Sequence, residues 1–76
     1  MSSKLLTDVG RALYGDRWQT ALSRDLGISD RTMRRWAAGV DDVPRGVYTD
    51  LHRIVLERAA ELQDLIPQLV EASTPD

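Results

Sequence analysis

Apolar positions recur at three- and four-residue steps along the chain, and no stretch shows the strict alternation of a half-buried strand. Leu5, Leu6, Val9, Ala12 and Leu13 predict a first helix over roughly residues 3–14. Ser2 and Ser3 stand ahead of it as candidate N-caps, and Gly15 follows it, where a positive φ ends a helix at little cost. Gly10 weakens this helix slightly. Asp16 opens a second helix, and Gln19 completes a capping-box-like pair with it. Trp18, Leu22 and Leu26 mark that helix's apolar edge, with the Trp18 indole expected to cover the junction of the first two helices. Gly27 closes the helix with a sharp turn, and Ile28 is the apolar residue inside the turn. Ser29 caps a third helix, Asp30 suits its positive end, and Gly39 ends it. Met33, Trp36 and Ala37 form the buried stripe of this third helix; at roughly 100° per residue Arg31 and Arg35 point almost opposite, with Arg34 and Ala38 beside them.

Residues 40–46 read as a loop, with Pro44 either inside it or in the first turn of the last helix. That last helix carries Val47, Leu51, Ile54, Val55, Ala59, Leu62, Leu65, Ile66, Leu69 and Val70. Pro67 is expected to kink or split it near residues 65–66, and residues 73–76 form a polar, frayed tail. Leu51, Ile54 and Val55 should pack on the first three helices, and Arg58 interrupts the apolar seam. Leu62, Leu65, Ile66, Leu69 and Val70 then have little left to pack against. They either form an interface, with residues 62–70 as a dimerisation segment, or fold back at Pro67 over the core. The class is all-α: one compact four- to five-helix domain with a central pair, helices 2 and 3, and a long C-terminal helix.

Composition narrows the chemistry. At 76 residues there is room for one small domain that buries about 60% of its unfolded surface. Cysteine is absent and His52 is the one histidine, so neither a disulfide framework nor a usual zinc site is expected, and no cofactor or metal is assigned. No serine–histidine–acid spacing and no glycine-rich phosphate loop is present, so the chain is not read as an enzyme and no small-molecule ligand is expected. No apolar run approaches the roughly 18 residues of a membrane span and no signal-peptide pattern opens the chain, which favours a cytoplasmic protein without a membrane partner. The net charge of −2 says little, but its distribution says more. Residues 11–36 hold six arginines against three acids, a net +3, whereas residues 47–76 hold two arginines against six acids, a net −4. One basic face on a small acidic chain is the charge layout of a compact nucleic-acid binder, or a fluctuation in a short sequence.

The segment Gln19 to Trp36 resembles the helix-turn-helix of the phage-repressor (lambda-repressor-like) family. The matching residues are Gln19, Leu22, Leu26, Gly27, Ile28, Met33 and Trp36. One position departs: the family prefers alanine at the inward small position of helix 2, where this chain has Ser23, whose hydroxyl must find a partner. The resemblance implies base-edge roles for Asp30, Arg31 and Arg35 and a phosphate-holding role for Gln19, which otherwise caps helix 2. Arg34, on the flank, faces either a base or the backbone. Asp30 either accepts from a cytosine amino group or orients Arg34 one turn on. Ser29 reads as a cap before it reads as a DNA contact. Arg17 and Arg45 lie beside predicted helix N-termini, where they either hold phosphate or are free surface charge. The physical logic is that a helix fits the major groove and that an arginine fork matches the two acceptors of a guanine edge.

The expected function is a sequence-specific transcriptional repressor, autoregulating a small phage or mobile-element operon, with antitoxin and anti-CRISPR-associated regulators among such proteins. Its partners would be double-stranded DNA carrying an inverted-repeat operator, bound through a recognition helix over residues 29–38, and a second copy of itself. The alternative is a protein-interaction module, or an antitoxin-type regulator, that binds a protein partner through helix 4.

Overall fold

The computed structural model describes residues 3–75 and is all-helical. In chain order it contains α1 (Lys4–Tyr14), a single 3-10 turn (Gly15–Arg17), α2 (Trp18–Leu26), α3 (Asp30–Ala37) and α4 (Arg45–Ser73). The core is Leu6, Trp18, Leu22, Met33, Trp36, Val43, Leu51 and Ile54. It draws one to two residues from each helix and one from the connection before α4.

α1 buries Leu6 and Gly10, with Val9 and Leu13 partly covered. Leu5 and Ala12, expected on the same face, are exposed instead. They stand about 100° and 120° round from Leu6, past the edge of the stripe. The Ser3 hydroxyl does not cap α1; it donates to the Ala37 carbonyl at 3.1 Å and so ties the start of α1 to the end of α3. Ser2 lies outside the described residues. Gly10 is where Trp18 sits: a Cβ there would lie 2.2 Å from the Trp18 Cε3. Bare backbone at residue 10 thus makes the notch that admits the indole.

The second helix starts later than the sequence predicts. Asp16 falls in the 3-10 turn, Trp18 is the first residue of α2, and no side chain caps α2, so the Asp16–Gln19 capping box does not form. The Trp18 ring, seated in the core, fixes where α2 begins, and residues 15–17 take up the remaining chain. Gly15 has φ 78° and ψ −152°, open only to glycine. In α2, Ser23 is buried, and its hydroxyl donates to the Gln19 carbonyl at 2.6 Å, meeting the need that a serine at this position creates.

α2 and α3 end in the same way. Gly27 takes φ 70° and ψ 33°, its amide donates to the Arg24 carbonyl, and the Ile28 amide donates to the Ser23 carbonyl at 3.0 Å. Gly39 takes φ 75°, its amide reaches the Trp36 carbonyl, and the Val40 amide reaches the Arg35 carbonyl at 3.0 Å. This paired bonding round a left-handed residue satisfies the last carbonyls of each helix and turns the chain sharply.

Residues 40–44 are not only a loop. Val43 is buried and belongs to the core. Pro44, at φ −61° and ψ 146°, sits just ahead of α4 rather than within its first turn. α4 then runs unbroken for 29 residues through Pro67, correcting the expected split. It neither breaks nor folds back. Leu51 and Ile54 enter the core as expected, but Val55 is 38% exposed. Every described residue from position 59 onward is exposed. At 1.5 Å per residue α4 is about 43 Å long, and the molecule measures 55 × 22 × 21 Å, so the second half of α4 extends beyond the packed helices.

Arg58 does not merely interrupt a seam. Its Nη1 donates to the Leu13 carbonyl at 3.1 Å, its guanidinium lies 5.7 Å from the centre of the Tyr14 ring, and Glu61 flanks it at 3.7 Å. The Tyr14 hydroxyl donates to Asp25. This corner clasps α4 to α1 and α2. Burial, then the hydrogen bond and the charge of Asp25, push the Tyr14 phenol up to about 12, against the opposing pull of Arg58. The folded protein therefore favours the neutral phenol. That contribution is fully present below pH 10 and is lost as pH rises toward 12. In a Tyr48→Phe variant Tyr14 is the one remaining tyrosine, and its ultraviolet titration should have a midpoint near 12. A midpoint at the ordinary value of 10.0 would mean that the phenol is neither buried at this corner nor bonded to Asp25.

Candidate nucleic-acid interface

The candidate interface is built on α3, eight residues long and among the shortest pieces of regular structure in the chain. An isolated helix of this length is unstable in water. What holds it is its inner face, where Met33 is fully buried and Trp36 is 7% exposed. Its start is held by Ser29, whose Oγ accepts from the Thr32 amide at 3.1 Å and bonds the Thr32 hydroxyl at 2.9 Å. Ser29 is thus occupied as the cap, as the sequence leads one to expect. The left-handed glycines at 27 and 39 bracket the helix, so both its ends are set by backbone geometry.

With Met33 and Trp36 inward, the outer face is determined. Arg31, Arg34 and Arg35 fall within an arc of about 100°, and all three are exposed. Stability does not explain this cluster. Arg31 has Arg34 and Arg35 as its i+3 and i+4 neighbours, and like charges at that spacing are mildly destabilising. Arg31 also lies in the first turn, where the helix dipole disfavours a cation. Arg34 and Arg35, in the last turn, are better placed against the dipole.

The three arginines differ in their partners. No ion pair holds Arg31 or Arg34 among the described residues, and Asp30 does not pair with Arg34 there, so the orienting role open to Asp30 is not realised in this conformation. Arg35 is held. Its Nε donates to the Asp41 Oδ2 at 2.6 Å and its Nη2 to the Oδ1 at 3.2 Å, a two-pronged pair. The hydrogen bond and charge of Arg35 hold the Asp41 carboxyl below the usual carboxylate range, and Asp41 in turn raises Arg35. Asp41 was legible in sequence only as one of two loop acids. The available signal was Gly39: a left-handed residue there turns the chain back, so that the next two residues lie against the last turn of α3.

The remaining candidates stand around this helix. Gln19 is the second residue of α2 and half-buried; it does not cap α2, which leaves its side chain without the capping role. Arg17 immediately precedes α2 and Arg45 opens α4, and both are exposed at helix N-termini, where free backbone amides also favour anions. At the far end of the molecule, Leu62, Leu65, Ile66, Leu69 and Val70 are between 48% and 66% exposed. Along α4 they form one stripe with Val55 and Ala59, and that stripe borders a largely apolar groove between α1 and α4 lined by Val9, Leu13, Val55 and Leu62 among others. His52 is exposed. No described helix is long and apolar enough to cross a membrane. No protein-family model, no curated protein and no solved structure matches the chain.

Proposed function

We propose that this protein is a sequence-specific binder of double-stranded DNA, with α2, the turn at Gly27 and α3 acting as a helix-turn-helix and α3 as the recognition helix. The observation that carries this reading is the outer face of α3. Three exposed arginines share it, with Arg31 placed against the helix dipole and beside two like charges, on a helix whose other face and both ends are held. Each arginine fork can meet a guanine edge, worth about 1–3 kcal/mol of discrimination. Arg17, Arg45 and Gln19 would supply phosphate contacts, and the acidic second half of α4 would point away from the duplex. A helix of eight residues reads few base pairs, so useful specificity needs two copies. The apolar stripe at residues 62–70 supplies the means, and a two-fold dimer would read an inverted repeat with half-sites one helical turn apart. Occupying such a site in a promoter represses transcription, which fits an autoregulator of a small phage or mobile-element operon in the cytoplasm.

The test is selection from a random duplex library at fixed salt, followed by titration of the selected duplex. Arg31→Ala with Arg34→Ala should lose about a hundredfold in affinity for it, from two forks at roughly 1–3 kcal/mol each, with helicity unchanged. The salt dependence should also flatten if either arginine holds a phosphate. A wild-type protein that enriches no sequence defeats the proposal. The same exposed stripe on α4 favours a second reading, a module that binds a different protein; it would stand if the chain stays monomeric alone and enriches no DNA.

A further inference from the structure

Arg35 and Asp41 form a pair that adds little to stability. Both side chains are close to half exposed, and ion pairs in such settings are worth little. Yet the chain goes to some length to make it. Gly39 adopts φ 75°, and the Val40 and Asp41 amides both return to the Arg35 carbonyl, at 3.0 and 3.4 Å. Residue 41 is therefore attached to residue 35 through its backbone as well as its carboxylate.

The consequence lies in which donors the carboxylate takes. A guanidinium has five N–H groups in a planar fork. Asp41 takes the Nε and one from Nη2. The edge between Nη1 and Nη2 remains free, and it is this end-on edge that can meet the O6 and N7 of guanine together. An unrestrained arginine gives up rotamer freedom when it binds; one already clamped gives up less. Charge points the same way. An acid beside Arg35 subtracts from the attraction for phosphate, so it is misplaced on a surface that only holds backbone. It subtracts less from two directional bonds to a neutral base edge, where geometry carries the discrimination.

We propose that Asp41 is a specificity-determining positioning residue: it clamps the Nε side of Arg35 so that the Nη1–Nη2 edge is presented to one guanine. This rests on α3 being the recognition helix, the reading that the Arg31→Ala with Arg34→Ala variant addresses. Asp41 itself does not touch the base.

The experiment takes the duplex selected by the wild-type protein and compares it with the same duplex in which single G·C pairs are changed to A·T. Wild type should prefer one guanine by about tenfold, the ratio for one good arginine fork. Arg35→Ala should abolish preference at that position alone. Asp41→Asn should bring the ratio there close to that of Arg35→Ala, while affinity for random-sequence duplex holds or rises because one negative charge is gone. Asp41→Glu should recover part of the ratio. Unchanged helicity separates these effects from misfolding. Asp41→Asn with an undiminished or sharper guanine ratio overturns the proposal, because Asp41 would then be holding Arg35 off the base. Arg35→Ala with every preference intact also overturns it. A loss on changing Arg31 and Arg34 together with a failure here removes only the role of Asp41; absence of any enriched sequence removes both readings.

Discussion

Gly10→Ala should cost this protein about 3 kcal/mol, even though alanine is the better helix former by about 1 kcal/mol in an ordinary helix interior. The added methyl group would lie 2.2 Å from the Trp18 Cε3 and 2.5 Å from its Cδ2. These are atoms of a rigid ring, not the end of a flexible chain. Trp18 is 3% exposed and packs in one core with Leu6 and Leu22, so the indole has nowhere to move without opening that core. Either α1 moves away from α2 or the ring leaves its seat, and removing a buried tryptophan from a core typically costs about 3–5 kcal/mol. In a chain of this size the whole stability is on the order of 4–11 kcal/mol, so the loss would be plain. Urea unfolding followed by tryptophan fluorescence measures it directly. Gly46→Ala is the matched control: it has nothing within 4 Å and lies in the first turn of α4, so it should be neutral or stabilising by up to about 1 kcal/mol. If Gly10→Ala were as stable as wild type, the indole would not be seated against residue 10.

The second large effect is expected in self-association. Leu62→Asp with Leu69→Asp should weaken the proposed dimer by at least about a hundredfold while leaving the monomer folded. Leu62 is 55% exposed and Leu69 66% exposed, and neither touches the core. The two lie on one line along α4 with Val55, and Ile66 stands between them, at the alternating steps of three and four that allow two helices to pack side by side. Covering the open half of one leucine is worth on the order of 1 kcal/mol. A two-fold interface uses each residue twice, and the carboxylates add a desolvation cost on top. Sedimentation of the two proteins at matched concentration decides the matter. Wild type should be a dimer and the double variant a monomer with the same helicity. Two monomers or two dimers would both remove the assignment of residues 62–70.

The helical segments were readable because each carries its own periodicity and punctuation. Gly27, Ser29 and Gly39 act through local backbone geometry, so the limits of α3 could be placed from the residues alone. The outward set of Arg31, Arg34 and Arg35 followed from the inward set of Met33 and Trp36. Two of the misses depended on contacts distant in sequence. Asp16 and Gln19 have the spacing of a capping box, but the seat of Trp18 starts the helix two residues later. Ser3 resembles a cap, yet its hydroxyl bonds the Ala37 carbonyl 34 residues away. Val43 looked like loop because a single apolar residue between acids and a proline has no period to read. Pro67 looked like a break, and α4 passes through it.

Sequence alone determined that the chain is helical, which residues begin and end α3, and which face of α3 is charged. Each of these depends on residues within two turns of one another. Tertiary structure decided three other matters. Gly10 became the notch for an indole eight positions on, because α1 and α2 cross there. Arg58 became the clasp of α4 on α1, because its guanidinium reaches a carbonyl 45 residues away. Arg35 became a restrained arginine rather than a free one, because a left-handed glycine carries Asp41 back alongside it. Spacing along a chain reports which face a side chain occupies; only the path of the backbone decides what lies opposite that face.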